Sequence, residues 1–251
     1  MPWKDTVVLV TGGGTGIGRA ISLRFAAAGA AVIINYSVSR QDAENTADEI
    51  RNHGGAAEVW QADVRRDAET RSMVAEIGGQ WGRLDVLVNN AGWSQRVPHA
   101  DLEALTDEIW DRTLDVNLRG AFYMTRAAVP LLRKSRNASI VNIASAAGLH
   151  AAGSSVVYAA SKAALLCMTK SLARALAPAI RVNAVCPGLV KTRFASWPEE
   201  AFEVTAEVSP LKRLVTVEEV AEAAMFAAGC AGMTGEEIVM DGGIFHLGRS
   251  R

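Results

Sequence analysis

The 251-residue chain is short of the features that mark specialised proteins. Its three cysteines, Cys167, Cys186 and Cys230, are odd in number and scattered, with no CxxC or Cys/His spacing. That argues against a disulfide framework or a metal site, and the thiols are expected to be reduced, buried and small hydrophobes in effect. Net charge is nearly absent, at −1 from 26 basic and 27 acidic side chains, so no broad field would gather nucleic acid or an anionic membrane. No apolar run reads as long enough to span a bilayer, and the opening "MPWKDTVVLV" lacks the apolar core of a signal peptide. A cytoplasmic location is therefore expected. Repeats and long polar tracts are missing too, as is any Ser/Gly/Pro linker. With 49% hydrophobic residues, the chain can bury one sizeable core, which predicts a single domain over residues 1–251.

What is present is an alternation. Short β-branched runs at 6–11, 30–35, 56–62, 84–90, 138–145, 180–187 and 236–243 are separated by segments of helical length and pattern at 16–28, 40–53, 67–80, 101–133, 155–177 and 217–229. Runs that are apolar nearly throughout are buried on both faces, as in a parallel sheet with helices on each side. The stretch 188–216 breaks the pattern. It is long, mixed and interrupted by Pro198 and Pro210, and a connection of that length is usually functional or disordered.

The densest signal is "VTGGGTGIGRA", Val10 to Ala20. A Walker A loop is excluded because Arg19 and Ala20 stand where lysine and a hydroxyl are required. The GxGxxG spacing is also absent. The TGxxxGxG formed by Thr11, Gly12, Gly16 and Gly18 does fit, at the end of a strand and the start of a helix, where free N–H groups and the positive helix end suit a pyrophosphate. A turn built only for tight packing is the alternative.

A second signal is "YAASK". Tyr158 and Lys162 are four residues apart on a helical segment and so project from one face. Ser145 ends a strand thirteen residues before Tyr158. Ligands of open parallel sheets bind at the carboxyl ends of the strands, so Ser145 and the glycine loop are expected to share a crevice. "NNAG" (89–92) and "CPG" (186–188) stand at two further strand ends.

With these motifs the chain resembles the short-chain dehydrogenase/reductases from Thr6 to about Gly243. The matching features are "TGGGTGIG", Asp63 and Val64, "NNAG", Asn117 in "DVNLRG", Ser145 in "IASAAG", "YAASK", "CPGLVKT" and "DGG". The resemblance implies a Rossmann fold with a doubly wound, seven-stranded parallel sheet, NAD or NADP as cofactor, and a catalytic tetrad of Asn117, Ser145, Tyr158 and Lys162. It gives Lys162 a second task at the nicotinamide ribose and Asn117 a proton-relaying water. The plainer alternative has Asn117 capping a helix kink and Ser145 merely ending a strand. Two connections, 177–180 and 227–235, look a residue or two short of the family pattern, which affects loop geometry.

In such a site Tyr158 is the expected general acid/base. Ordinary tyrosine titrates near pH 10, and a shift of roughly three units needs about 4 kcal/mol, which Lys162 and a nicotinamide cation are expected to supply. Ser145 is expected to bond the reacting oxygen. Gly12, Gly14, Thr15, Gly16, Ile17 and Gly18 would surround the pyrophosphate. Asp63 and Val64, with Asn90, Ala91 and Gly92, would line the adenosine side, and Pro187, Gly188, Val190 and Thr192 the nicotinamide. An NAD-specific enzyme places an acid at the end of the second strand. This chain has Asn35, Tyr36 and Ser37 there, with Arg40 close by, which favours NADP, although Thr15 stands where many NADP-using relatives carry a basic residue.

For the substrate, the segment after Thr192 is the expected lid, with Phe194 and Trp197 over the ligand. Trp93, Ser94 and Gln95, and Leu149, His150 and Ala151, are expected as other walls. A moderately apolar secondary alcohol or ketone follows, with a 3-oxoacyl carrier-protein substrate as alternative, and "RKSR" (133–136) as either its dock or a solvated helix end. A non-catalytic dinucleotide-binding regulator would have no reason to keep all four tetrad positions. A sugar-nucleotide epimerase usually has a further C-terminal region. Small residues on several faces of 101–133 and 155–177 agree with a homo-oligomer, which the resemblance makes a tetramer or dimer.

Overall fold

In a computed structural model of the chain, which describes residues 3–248, seven parallel strands form one sheet. They are β1 (Val7–Thr11), β2 (Ala31–Tyr36), β3 (Ala57–Gln61), β4 (Val86–Asn89), β5 (Ala138–Ile143), β6 (Ile180–Pro187) and β7 (Glu237–Met240). The spatial order is β3-β2-β1-β4-β5-β6-β7. The chain winds outward from β1 in one direction and from β4 in the other, which opens a crevice at the carboxyl ends of these two neighbours.

Alternate residues of each strand feed two cores. Val8 and Val10 of β1 lie against α1 (Gly16–Ala27) and α9 (Val217–Gly229), where Ile21, Phe25, Val220 and Ala224 are buried. Val7 and Leu9 face the opposite way, onto α3 (Asp67–Trp81) and α5 (Ala121–Leu132), through Ile77, Met124 and Leu131. Because both faces are covered, β1 is apolar along its length up to Thr11. Removing a side chain such as fully buried Phe25, which Trp3 meets edge-on at 4.8 Å, would cost about 3–5 kcal/mol.

Four expectations need adjustment. The predicted helix over 101–133 is two helices, α4 (Asp107–Leu114) and α5, joined by a π-helical turn at Asp115–Gly120. Such wide turns recur at functional sites, and this one holds Asn117. The stretch 188–216 is no mere loop, since it includes a 3₁₀ turn at Phe194–Ser196 and α8 (Glu199–Val208). Helix α7 (Val156–Leu176) is, by length and composition, apolar enough to cross a membrane. Its apolarity has a local cause: Val157, Leu165, Leu166 and Ala173 are buried against the rest of the protein. Only Cys186 of the three cysteines is buried; Cys167 is exposed and Cys230, the C-cap of α9, is half-buried.

Candidate active site

The glycine loop rises from β1 into α1. At Gly16, φ is +50°, a left-handed conformation that favours glycine, and at Gly18 a Cβ would collide with the Gly12 carbonyl oxygen and the Asn90 carboxamide. Among the described residues no protein acceptor meets the main-chain N–H groups of Gly14 through Gly18. Helix α1 has no acid in its first turn, and Thr15 at its N-cap makes no capping bond. The loop is thus a row of free donors at the positive end of a helix, a fit for a pyrophosphate.

The motif at the end of β4 holds this loop in place. Thr11 Oγ1 accepts from the N–H groups of Asn90 and Ala91, both at 2.9 Å, and Asn90 Nδ2 donates to the carbonyl oxygens of Thr11 at 2.9 Å and Gly12 at 3.2 Å. Gly14 is needed for packing, since a Cβ there would lie 2.7 Å from Ala43 Cα on α2 (Arg40–Asn52).

At the ends of β2 and β3 the expected cofactor residues differ in what they present to solvent. Asn35 Nδ2 donates to the Ala62 carbonyl oxygen at 3.0 Å, binding β2 to the chain after β3, and Tyr36 is buried in the core that includes Ala43, Ala47 and Ile50. Strand alternation turns both side chains inward and leaves Ser37 as the exposed member of the three. Val64 is buried against Gly120. The Asp63 carboxylate accepts from Arg65 Nη2 at 2.6 Å, and this guanidinium holds it below the usual carboxylate range.

The residues expected to do chemistry meet where β5 ends. Ser145 is buried there; its Oγ donates to the Pro187 carbonyl oxygen at 3.3 Å and accepts from Ala147 N at 3.1 Å, and its hydroxyl is close enough to Tyr158 to draw the phenol's pKa down. Ser155 caps α7, its Oγ accepting from Tyr158 N at 3.2 Å. One turn on, Lys162 is 4% exposed, donates from Nζ to the Ile143 carbonyl oxygen at 2.8 Å, and lies 5.8 Å from the centre of the Tyr158 ring. Asn117 stands behind them. Its Oδ1 accepts from Trp93 N at 2.8 Å, and its Nδ2 donates to the Trp93 carbonyl oxygen and to Ser161 Oγ, both at 3.0 Å.

Burial dominates the titration of this pair. It pushes Tyr158 up to about 12, against the downward pull of the Ser145 hydrogen bond. It pushes Lys162 down to about 8, with the Cys186 thiol as the opposing influence. In the protein alone the phenol is therefore not acidified: burial raises it, Ser145 is the opposing influence, and the Lys162 ammonium is tied to a carbonyl on β5.

The segment after Thr192 closes over these groups. A Cβ at Gly16 would lie 3.4 Å from Thr192 Cγ2, and the Phe194 ring is 5.8 Å from that of Tyr158. Ala195 and Ser196 hold positive φ, +57° and +48°, in this turn, a strained conformation for residues with a Cβ. Arg193 Nη2 reaches 2.9 Å from Asp42 Oδ2 on α2. Between this segment and the chain after β4 lies a cavity of about 510 Å³, lined by Trp93, Ser94, Gln95, Arg96, Arg193 and Phe194 among others. Trp197 meets Arg96 at 5.9 Å. Among the other expected walls, His150 lies 3.6 Å from Asp241 and edge-on to Phe245. Sequence reasoning stopped at Gln95 and missed Arg96, and nothing in the sequence signals the bridge from Arg193 to Asp42.

Comparison with known proteins gives a consistent result. A family model described as enoyl-(acyl carrier protein) reductase, of the short-chain dehydrogenase type, matches residues 12–245. A 3-oxoacyl-[acyl-carrier-protein] reductase of Thermotoga maritima is 38% identical, covering 97% of this chain and 99% of its own. A protein of Rhizobium meliloti named "Probable galactose dehydrogenase" is 36% identical over 96% of both chains. The crystal structure of a short-chain dehydrogenase/reductase of Brucella melitensis, described as glucose/ribitol dehydrogenase, superposes with a TM-score of 0.90 at 32% identity, covering 97% of this chain and 98% of the other.

Proposed function

Because the chain belongs to the short-chain dehydrogenase/reductase family, a family of oxidoreductases, we propose that it transfers a hydride between NADP(H) and a small to medium, moderately apolar secondary alcohol or ketone, with Tyr158 as general acid/base. The observation that carries this reading is the meeting of Ser145, Tyr158 and Lys162 beneath Phe194, beside a loop of unpaired N–H donors. The loop of Gly12, Gly14, Thr15, Gly16, Ile17 and Gly18 would hold the pyrophosphate. Asp63, Asn90, Ala91 and Gly92 would flank the adenosine, and Pro187, Gly188, Val190 and Thr192 the nicotinamide. The dinucleotide, when bound, supplies or accepts the hydride. Ser145 Oγ orients the reacting oxygen by a hydrogen bond, and Tyr158 donates its phenolic proton to that oxygen in reduction or takes it back in oxidation. In the protein alone a phenol near 12 is the protonated donor that reduction needs. Lys162, with its Nζ between Ile143 and the phenol, holds positive charge toward the developing phenolate. Asn117, bonded to Trp93 and to Ser161 on α7, positions that helix.

NADP is preferred to NAD in this reading because no carboxylate follows β2 before Asp42, Asp42 is paired with Arg193, and Ser37 and Arg40 are both exposed near the strand end. A 3-oxoacyl carrier-protein substrate is the second reading, favoured by the name of the Thermotoga relative. Tyr158→Phe tests the proposal. Turnover, read from nicotinamide absorbance with a panel of carbonyls and alcohols, is expected to fall about 10²–10⁴-fold while dinucleotide binding persists. A variant with near-normal rates would overturn the acid/base assignment, and a lower Michaelis constant for NAD than for NADP would overturn the cofactor preference.

A further inference from the structure

The cavity between the segment after Thr192 and the chain after β4 carries a charge pattern that hydride transfer does not require. Two guanidinium groups, Arg96 and Arg193, line it, and no carboxylate does. Arg193 is already matched by Asp42. Arg96 makes no ion pair among the described residues; its guanidinium lies against the Trp197 ring of the lid. Trp93, on the cavity wall, carries a further arginine, Arg112, 4.4 Å over its ring and likewise without an ion pair among the described residues. Arg65, Arg83, Arg119 and Arg213, by contrast, each hold a carboxylate. Arg96 is thus a cavity-lining guanidinium with no carboxylate partner among the described residues, on a wall shared with Phe194, whose ring is 5.8 Å from that of Tyr158.

We propose that Arg96 is a specificity residue of this cavity and that the substrate bears an anionic group, a carboxylate or a phosphate, which Arg96 binds while the reacting carbon faces Tyr158. The inference rests on the hydride-transfer reading and sharpens its substrate class, from moderately apolar to amphipathic. A guanidinium offers a planar fork of donors that matches either anion in a bidentate way. The Trp197 ring, 5.9 Å from the guanidinium carbon of exposed Arg96, holds it by a cation–π contact that leaves the N–H donors free for a ligand. The aromatic faces of Phe194 and Trp93 suit the stem between the anion and the carbonyl. Since Arg96 lies on the chain after β4 and Trp197 on the lid, an anion held at Arg96 is also placed at the junction of the two walls.

The test uses matched carbonyl pairs with the full chain and NADPH: a 3-oxo acid against its methyl ester for carboxylate, and hydroxyacetone phosphate against hydroxyacetone for phosphate. The anionic member of one pair is expected to show kcat/KM roughly tenfold or more above its neutral partner, and that pair identifies the anion. Arg96→Gln is expected to raise KM for the anionic member by about tenfold with little change in kcat, to leave the neutral member unaffected, and to be partly rescued by Arg96→Lys. If neutral members are used as well as anionic ones, or if Arg96→Gln changes both members equally, the inference fails and hydride transfer stands. If no member of either pair turns over although the dinucleotide binds, both the inference and the reading beneath it fail.

Discussion

Around the glycine loop nearly every polar side chain is tied to main chain. Thr11 and Asn90 lock β4 to the loop, Ser22 Oγ donates to the carbonyl oxygens of Gly13 and Gly18 at 3.0 and 2.9 Å, and Thr46 Oγ1 donates to that of Gly14 at 3.1 Å. Around Tyr158, burial sets the protonation of a phenol and an ammonium, and Arg96 at the cavity wall has no carboxylate. The first region uses side chains to shape a backbone that binds; the second sets a buried lysine and a half-buried tyrosine beside a cleft where they can react. A substitution in the first should register in stability, and one in the second in turnover.

After Tyr158→Phe, Ser145→Ala is expected to give the largest effect on turnover, a loss of about 10²–10³-fold in kcat with dinucleotide affinity nearly intact and a stability cost of about 1–2 kcal/mol from its main-chain hydrogen bonds, measured by steady-state kinetics, a binding titration and denaturant unfolding. Equal losses of stability and activity would erase the distinction between the regions. On the other side, Gly18→Ala is expected to destabilise by about 3 kcal/mol in denaturant unfolding, since the new Cβ meets the Gly12 carbonyl oxygen, part of a backbone that cannot turn aside.

The buried lysine gives a pH signature. The folded-state value of Lys162, near 8, is below its ordinary 10.5, so between these two pH values the unfolded chain binds more protons and stability rises with pH. The contribution is at most about 3 kcal/mol across that window, and Lys162→Met should flatten the slope of unfolding free energy against pH there. Tyr158 acts oppositely. Its folded value near 12 lies above 10, so stability falls as pH rises from 10 toward 12. The smallest expected effect lies outside both regions. Thr216→Ala removes the capping box at α9, in which Thr216 Oγ1 accepts from Glu219 N and the Glu219 carboxylate accepts from Thr216 N, and should cost about 1 kcal/mol in thermal unfolding with no change in turnover.

Much of the fold was legible because the strands are apolar on both faces and the glycines, prolines and polar runs between them mark the connections. The placement of Ser145 at the strand-end crevice was legible for a related reason, since a residue ending a parallel strand has one crevice to face, whereas its grouping with Tyr158 came from the family resemblance. The inward turn of Asn35 and Tyr36 was not, because it depends on which face of β2 each side chain takes and on the carbonyl after β3. The wide turn at Asp115–Gly120 within 101–133 was hidden too, since the chain stays helical on both sides of it and one inserted residue leaves too small a trace in the pattern. The bridge from Arg193 to Asp42 joins residues 151 apart and leaves no local trace.

The sequence by itself determined the order of strands and helices, the donor-rich turn after β1 and the presence of a tyrosine and a lysine on one face of α7, because periodicity and chain direction act over a few residues. Only the tertiary structure decided the protonation of that pair, which depends on how much water the whole fold excludes. It also decided the isolation of Arg96, because an unmatched charge is a property of every side chain that could have reached it and does not.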